Sequence, residues 1–319
     1  MCPSAWIRSS VALLATVTLV TAGTSQLSSQ LPGRDALRPA AAHRHPPVNV
    51  RMVTYNIRSK LHHRPVLADL RRLARSGTDV VALQEMGSAT RRAAVRRALV
   101  DCNRCAWDAF MPQEAPRGAT PILYRTDVLR FVDAHSRLAT EAADVGRSGA
   151  GPRRMSAKYV NWVHLRVRAT GRDLYVVNNH TVPTVQGRDG KPNERYPRRV
   201  ALYRAHMKVL AKVVDRLTGD GAVFVTGDLN VNYRRDRVVQ AAAFPYHVLG
   251  RLGLRASYAP LGMPPIGTHV RPNGGDTRLI DYVYFTPHRW LVPRRQAVLR
   301  EFSSDHRPLS VTFQVRPRH

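Results

Sequence analysis

Apolar positions along this chain recur with two different spacings, one typical of strands and one typical of helices. Residues 48–57 alternate between apolar and polar and then become continuously apolar, which predicts a strand that ends in a polar turn. Residues 66–77 instead place leucines at helical spacing and end at Gly77, a residue that commonly follows the C-terminus of a helix. The same two patterns continue along the rest of the chain.

Apolar runs of strand length are separated by two further stretches with helical spacing. The predicted strands occupy residues 80–83, 121–125, 159–167, 173–180, 221–230, 279–286 and 309–315. The predicted helices occupy residues 89–100 and 198–217. Because strands and helices are mixed and short turns join several strands, the pattern indicates an α/β fold with mixed sheets and not a regular βαβ array.

The composition is that of a folded protein with a strongly basic balance. Of 319 residues, 44% are hydrophobic and 23% are charged, so the chain can bury a large core. Its 50 Lys and Arg against 22 Asp and Glu give a formal charge of +28. This excess favours polyanionic partners such as nucleic acid, an anionic membrane surface or phosphorylated substrates, although a general bias toward Arg would produce it too.

The N-terminal residues 1–23 have the pattern of a signal peptide. Arg8 precedes the apolar run Val11 to Gly23, and small residues near Ala22 suit cleavage. The run is shorter than the ~20 apolar residues of a membrane-spanning helix. Residues 24–47 are rich in Ser, Gln, Pro, Arg and His without periodicity, which predicts a disordered linker. We therefore expect a secreted protein, without stable membrane insertion, whose folded domain spans residues 48–319.

Two cysteines, Cys102 and Cys105, remain once Cys2 leaves with the signal peptide. Export favours a disulfide between them. The C-x-x-C spacing also occurs in zinc and redox sites, but neither a second half-site nor a thioredoxin-like context surrounds it. We interpret the motif as a small structural clamp in a loop.

Polar residues with catalytic potential follow the predicted strands. One further acid, Asp281, lies inside the apolar stretch 279–286, where an unpaired carboxylate would cost several kcal/mol, so we expect a partner for it and His306 is the candidate. Each residue alone has an ordinary explanation as a turn, strand-end or core residue. Their recurrence favours one shared site. The residues after strands or turns are Asn56, Glu85, His180, Asp228, Asn230, Asp305 and His306.

The chemistry of these residues predicts a metal-dependent phosphoesterase. Glu85 and Asp305 offer hard oxygen ligands, which suit Mg²⁺ or Mn²⁺ better than zinc. A divalent cation beside a carboxylate–His pair, with Asn and His donors for the phosphate, is the arrangement that phosphoester hydrolysis requires.

Six segments, in this order, resemble the metal-dependent endonuclease/exonuclease/phosphatase superfamily over residues 48–315: TYNIR, ALQEM, VVNNHTVP, VTGDLNVN, LIDYVYF and SSDHRPL. Its members include secreted DNases, abasic-site endonucleases, inositol-phosphate phosphatases and bacterial sphingomyelinases. The resemblance implies a four-layer sandwich, in which two mixed β-sheets pack face to face with helices on the outside. The active site would lie at one end of the sheets.

By motif position, the resemblance also implies a metal site and a substrate contact. Glu85 would bind the metal, Asn56 would help to position it, and Asp305 would lie on or near it. Arg58 matches an arginine with which secreted DNases contact the substrate backbone.

The other motif positions imply the catalytic groups. Asp228 would orient or deprotonate the attacking water, and Asn230 would hold that water and the phosphate. His306, held by Asp281, would hydrogen-bond the phosphate or share the role of base. His180 would bind phosphate or protonate the leaving oxygen.

Two positions depart from the secreted DNases. Gly87 stands where they carry a second arginine, and Gly118 aligns with a glutamate that partners the histidine. These differences argue against a digestive DNase and leave the phosphoesterase chemistry in place.

Three functions remain open. The favoured one is a secreted nuclease or phosphodiesterase on DNA or RNA, supported by the charge and by basic loops at Arg147–Arg154 and Lys191–Arg199. A phosphatase or sphingomyelinase-type phospholipase is the second; a lipid enzyme should expose an apolar loop, and Leu261–Gly267 is the nearest candidate. The third is an inactive polyanion-binding protein, which ranks last because every site position carries a competent residue. We expect a monomer without an obligate protein partner.

Overall fold

The computed structural model describes residues 46–101, 106–146, 153–270 and 278–318. The predicted signal peptide, most of the predicted linker, the CNRC motif and residues 147–152 of the first basic loop lie outside the described residues. The strands are β1 (Val48–Asn56), β2 (Val80–Gln84), β3 (Trp107–Phe110), β4 (Ile122–Arg125), β5 (Leu129–Thr140), β6 (Ala143–Asp144), β7 (Arg154–Met155), β8 (Lys158–Val167), β9 (Asp173–His180), β10 (Ala222–Asp228), β11 (Arg255–Ala256), β12 (Asp281–Phe285), β13 (Leu291–Val298) and β14 (Leu309–Val315). The helices are α1 (His63–Arg75), α2 (Ala89–Leu99), α3 (Pro197–Leu217), α4 (Tyr233–Val239), α5 (Pro245–Gly250) and α6 (Tyr258–Leu261), with a short 3₁₀ helix at Arg117–Ala119.

Two mixed sheets of six strands each organise the domain. The first has the order β13-β14-β1-β2-β4-β3 and the second the order β11-β12-β10-β9-β8-β5. In each sheet one central pair is parallel, β1 with β2 and β9 with β10, and the other neighbours are antiparallel. The two parallel pairs matter for function because each delivers the ends of two strands to one edge of its sheet.

Alternation along the strands divides the apolar residues into layers. Val53 and Tyr55 of β1 pack in one core with residues of α1 and α2, whereas Val50 and Met52 belong to the core between the sheets. In that central core, the ring of Phe313 lies against Phe224 and Phe285, with centroids 5.0 and 5.1 Å apart. The other face of the second sheet is covered by the long helix α3. The predicted four-layer sandwich is confirmed.

Two long strands, β5 and β13, were absent from the sequence prediction. Both lie at the edge of a sheet, and both are largely exposed or half-buried along their length. Phe131 of β5 is 43% exposed. Because a largely exposed edge strand needs no apolar alternation, its sequence lacks the signal that identified the central strands. Within the described residues, no helix has the length and apolar character needed to cross a membrane.

One buried acid, Asp236 of α4, lies in the tyrosine-rich layer outside the second sheet. Its Oδ2 accepts a hydrogen bond from the N–H of Tyr246 at 2.9 Å, whereas Oδ1 has no hydrogen-bond partner among the described residues. Burial raises the pKa of the Asp236 carboxyl to about 7, and the Tyr246 N–H opposes only part of that rise. The folded protein therefore keeps this carboxyl protonated at pH values where an unfolded chain ionises it.

This difference predicts a pH-dependent stability. Between the ordinary carboxyl pKa of 3.8 and about 7, the folded protein binds more protons at Asp236 than the unfolded chain does, so the free energy of unfolding should fall as the pH rises. Asp236→Asn removes the titration and keeps an oxygen for the Tyr246 N–H. The free energy of unfolding in urea, measured at about pH 5 and about pH 8, tests this. Relative to the wild type, the variant should be more stable at the higher pH than at the lower one, by about 1.4 kcal/mol for each unit by which the pKa of Asp236 is raised.

The exposed Asp215 on α3 provides the matched control. Asp215→Asn should differ from the wild type by the same amount at both pH values. If Asp236→Asn also differed from the wild type by the same free energy of unfolding at both pH values, the prediction would be wrong.

Candidate active site

The ends of the two parallel strand pairs meet at one end of the sandwich. The last residue of β1 is Asn56, that of β9 is His180 and that of β10 is Asp228, and Glu85 directly follows β2. Asp228 pairs with His180 on one side and with Asp281 of β12 on the other. Sheet topology thus gathers residues that are far apart in the sequence.

Asn56 connects the two sheets at this end. Its Nδ2 donates to Oε1 of Glu85 and to Oδ2 of Asp228, each at 3.1 Å. Its Oδ1 accepts a hydrogen bond from the N–H of Arg58 at 3.0 Å. In this arrangement Asn56 turns its N–H groups to the carboxylates and fixes where they lie.

A layer of buried amides supports the site from below. Nε2 of Gln84 donates to Oδ1 of Asn178 on the facing sheet at 2.8 Å, and Nδ2 of Asn178 donates to the carbonyl groups of Leu83 and Pro121. Both side chains are fully buried. Because buried amides are costly unless paired, this layer fixes the relative height of the two sheets.

The backbone is strained where the site residues leave their strands. Of the six non-glycine residues with positive φ in the described part of the chain, three belong to the site: Arg58 (56°), Glu85 (65°) and Asn230 (53°). Such backbone costs about 1–2 kcal/mol per residue and persists where the surroundings enforce it. Just before Asp228, Gly227 has φ 136°, and a Cβ there would lie 1.9 Å from the carbonyl oxygen of Asn179. Only glycine fits at that close approach of β9 and β10.

Glu85 is held as an ionised carboxylate. Its Oε2 accepts from the N–H of Ser59 at 2.6 Å, in addition to the bond from Asn56. Burial alone would raise the pKa of Glu85, but nearby His180 and these two donors lower it to about 2. A carboxylate that stays charged at any physiological pH is a suitable ligand for a divalent cation.

Asp281 and His306 form a buried pair, as the sequence predicted. Nδ1 of His306 lies 3.1 and 2.9 Å from the two carboxylate oxygens of Asp281, and Nε2 lies 3.7 Å from Oδ2 of Asp228. Burial lowers the pKa of His306, but the carboxylates of Asp281 and Asp228 raise it to about 10. The imidazole therefore carries both protons, with Nδ1–H donated to Asp281 and Nε2–H directed toward the site.

His180 has the opposite electrostatic character. Its Nε2 lies 3.6 Å from Oδ2 of Asp228. Burial and the charge of Lys158 lower the pKa of His180 to about 4, so its imidazole is neutral near pH 7. Lys158, at the start of β8, was not identified from the sequence, because a lysine at the end of a strand has the pattern of a solvated residue.

Asp305, Arg58 and Asn230 complete the site. Oδ2 of Asp305 lies 3.4 Å from Nε of Arg58, and both side chains are about half exposed at the rim. Oγ of Ser304 donates to the carbonyl oxygen of Asn56 and so ties the Asp305 loop to β1. The N–H of Asn230 donates to Oδ1 of Asp228 at 2.9 Å.

The donor set fits a divalent metal ion. Four carboxylates converge here, and Glu85, held by Asn56, offers an ionised oxygen donor; the four are Glu85, Asp228, Asp281 and Asp305. In the described ranges, the one set of three or more acidic, His or Cys side chains with donor atoms within 4.8 Å of one another is Asp228, Asp281 and His306. In that set, Nδ1 of His306 and Asp281 are hydrogen-bonded to each other. Asp228 is therefore the one member whose oxygen atoms are not used within the set. Glu85 is therefore the better centre for a cation.

Arginines of α2 also organise the site, although the sequence analysis predicted this helix without assigning a role to them. Arg91 is 6% exposed and donates to the carbonyl groups of Glu85 at 3.1 Å, Ser59 at 2.7 Å and Leu61. Arg92 is 1% exposed and packs against Gly118, where a Cβ would lie 2.2 Å from the carbonyl oxygen of Pro112. A glutamate therefore does not fit at position 118, and this departure from the secreted DNases has a steric basis.

Arg91→Met should loosen the loop that follows β1. Because hydrogen bonds from a charged donor contribute about 1.5–3 kcal/mol each, the amide of Ser59 and its neighbours should exchange with solvent at least about ten times faster. Hydrogen exchange with mass spectrometry on residues 57–62 measures this effect. Arg96→Met, on the same helix but paired with Asp101 at the surface, should leave exchange unchanged; equal protection in both variants would contradict the role of Arg91.

Comparisons with known proteins agree with the geometry. The model of the endonuclease/exonuclease/phosphatase family matches residues 53–306. A search of curated protein sequences finds no match. Similar solved structures include an endonuclease/exonuclease/phosphatase family protein of Bacteroides thetaiotaomicron (TM-score 0.63, 18% identity, covering 86% of this chain and 98% of that one). A mannosyl-6-phosphatase of the same organism gives a TM-score of 0.60 at 18% identity (83% and 99%), and D. rerio TDP2 complexed with a single-strand DNA product gives 0.59 at 15% (83% and 98%). At these identities the structures share the fold.

Proposed function

Because the chain belongs to the endonuclease/exonuclease/phosphatase family, whose members hydrolyse phosphoester bonds, we propose that it is an exported, metal-dependent phosphodiesterase that cleaves nucleic acid. One observation carries the proposal: Asn56 joins Glu85 to Asp228 beside the Asp281–His306 pair, at the open end of the sandwich. Metal-binding, water-activating and phosphate-binding groups thus occupy one site. When bound, Mg²⁺ or Mn²⁺ supplies positive charge that offsets the charge developing on the phosphate oxygens.

Asp228 is the group best placed to act on the attacking water. Asn56 and the N–H of Asn230 each donate to one of its oxygens, so the carboxylate is held in a fixed orientation and can still accept a proton from water. The side-chain Nδ2 of Asn230 donates to the carbonyl oxygen of Thr181, which leaves its second N–H and its oxygen for the water and the phosphate.

His306 and His180 divide the binding of the phosphate. His306 carries protons on both nitrogens, so Nε2–H can donate to a phosphate oxygen while Asp281 holds the ring. This state favours phosphate binding over the role of base. His180 is neutral near pH 7, which favours a hydrogen bond to the phosphate over proton donation to the leaving oxygen.

The rim of the site supports a polyanionic substrate. The loop after β1 contributes the exposed residues Arg58, Lys60 and His62, the first turn of α1 contributes the exposed Arg64, and the Ser59 N–H of the loop is bonded to Glu85. Basic side chains next to the metal-binding carboxylate suit a chain with phosphates on either side of the cleaved bond.

A phosphatase or sphingomyelinase-type activity is the second candidate. A groove of about 400 Å³, lined by Leu261–Ile266 and Gln296–Val298, supports it. The segment Leu261–Ile266 leads to Gly267, whose carbonyl oxygen accepts a hydrogen bond from Arg307, next to His306. The similarity of the fold to a mannosyl-6-phosphatase is compatible with a small phosphoester as well.

Hydrolysis assays on plasmid DNA, RNA, sphingomyelin and inositol phosphates, each with Mg²⁺ or with EDTA, test the proposal. We expect DNA or RNA cleavage that stops in EDTA and falls at least about 100-fold in Glu85→Gln and His306→Ala. Asp215→Asn, at an exposed acid of α3, is the matched control and should retain full activity. Turnover of the lipid or small phosphoesters alone would favour the second candidate, and DNA binding without turnover would favour an inactive binding protein.

Export is the part of the proposal that the N-terminal sequence supports. Cells expressing the full chain should release a protein that begins close to residue 23, as measured by intact mass. Replacing Leu13 and Leu14 with arginine should abolish release, because a charged segment no longer forms the apolar region of a signal peptide. An uncleaved N-terminus that remains in the cell would argue against export.

A further inference from the structure

The position of Lys158 beside the site follows from strand pairing. Lys158 is the first residue of β8, and Asn161 of β8 lies opposite Asn178 of β9. The start of β8 therefore lies beside the end of β9, where His180 is located. The charge of Lys158 interacts with the carboxylates of the site and lowers the pKa of His180.

Lys158 lacks a partner that would neutralise it. The side chain is half-buried, and within the described ranges its Nζ makes neither a hydrogen bond nor an ion pair. The carboxylates within its electrostatic range are Glu85 and Asp228, and each already accepts hydrogen bonds from two donors. Because a partly buried ammonium without an acceptor is costly, this position is suited to an anion from outside the chain.

We propose that Lys158 binds a non-bridging oxygen of the phosphate that the enzyme cleaves. The inference rests on the proposed function of the same site and adds a substrate-binding residue to it. Lys158 approaches from β8, whereas His306 approaches from the loop before β14, so the two cations reach the phosphate from different elements. An ammonium with three N–H donors is a compact charge that suits a tetrahedral phosphate.

The space around His180 is consistent with this role. The secreted DNases place a glutamate next to the corresponding histidine, and Gly118 leaves no room for one here. Without that carboxylate, Lys158 is the charge with the largest effect on the pKa of His180, ahead of Asp228 and Glu85. The same region is therefore more attractive to a phosphate oxygen than it would be with a His–Glu pair.

A role in balancing charge is the alternative for Lys158. In that case the ammonium would only offset the four carboxylates. Its removal would tighten the binding of a divalent cation and lower phosphate affinity only slightly, and Lys158→Arg would restore that affinity in full. If Lys158 binds phosphate directly, its removal weakens phosphate binding much more, and arginine restores only part of it. Phosphate affinity thus separates the two roles, whereas metal affinity alone does not.

Calorimetric titration of inorganic phosphate into the Mg²⁺-loaded protein tests the proposal. We expect phosphate to bind at least about ten times more weakly to Lys158→Met and Lys158→Gln than to the wild type, since a charged hydrogen bond contributes about 1.5–3 kcal/mol. Lys158→Arg, which keeps the charge, should recover part of the affinity. Lys212→Met, at an exposed lysine of α3, should bind phosphate as the wild type does.

Unchanged phosphate affinity in both neutral variants, or no phosphate binding by the wild type, would overturn the inference. Thermal unfolding of the two neutral variants, which differ in polarity, checks that the fold is intact. A protein that binds phosphate through Lys158 but hydrolyses none of the phosphoesters keeps this inference and loses the proposed function. If both neutral variants hydrolyse phosphoesters with the kcat/KM of the wild type, the proposed function stands and this inference is wrong.

Discussion

The site depends on one side-chain amide that two carboxylates share. Asn56 ends a strand of the first sheet, and Asp228 ends a strand of the second, 172 residues further along the chain. One amide can reach both Glu85 and Asp228 only if the two strands end at the same height and face each other across the sandwich. The buried bond between Gln84 and Asn178 imposes that height, because either amide would be left unpaired by a shift of one sheet against the other.

The sequence predicted the parts of the molecule in which burial is symmetric. Strands β1, β2, β9 and β10 are buried on both faces, so their apolar runs were recognisable, and the polar residues that end them were visible as interruptions. The pairing of Asp281 with His306 followed from the cost of a buried carboxylate. The edge strands β5 and β13 gave no such signal, because most of their residues are exposed or half-buried.

Residues whose role depends on a bend of the chain or on the path of a long side chain were not predictable. Arg91 belongs to a sequence, RRAAVRR, that has the composition of a solvated helix, yet its guanidinium is buried against three carbonyl groups. Lys158 begins an ordinary strand, and its relevance comes from the register of β8 against β9. Local periodicity carries no information about such long-range placement.

The basic surface of the protein and its acidic site act differently on a polyanion. The chain carries a formal charge of +28, and this excess attracts polyanions over a distance of about one Debye length, roughly 8 Å at physiological salt. At the site itself four carboxylates converge against the cationic groups of His306, Arg58 and Lys158, so a phosphate that arrives there meets repulsion as well as attraction. A divalent cation at Glu85 would reverse that balance at the point where the phosphate must come close to Asp228. The basic surface can therefore account for encounter, whereas under the proposed function productive binding at the acidic site would depend on the metal.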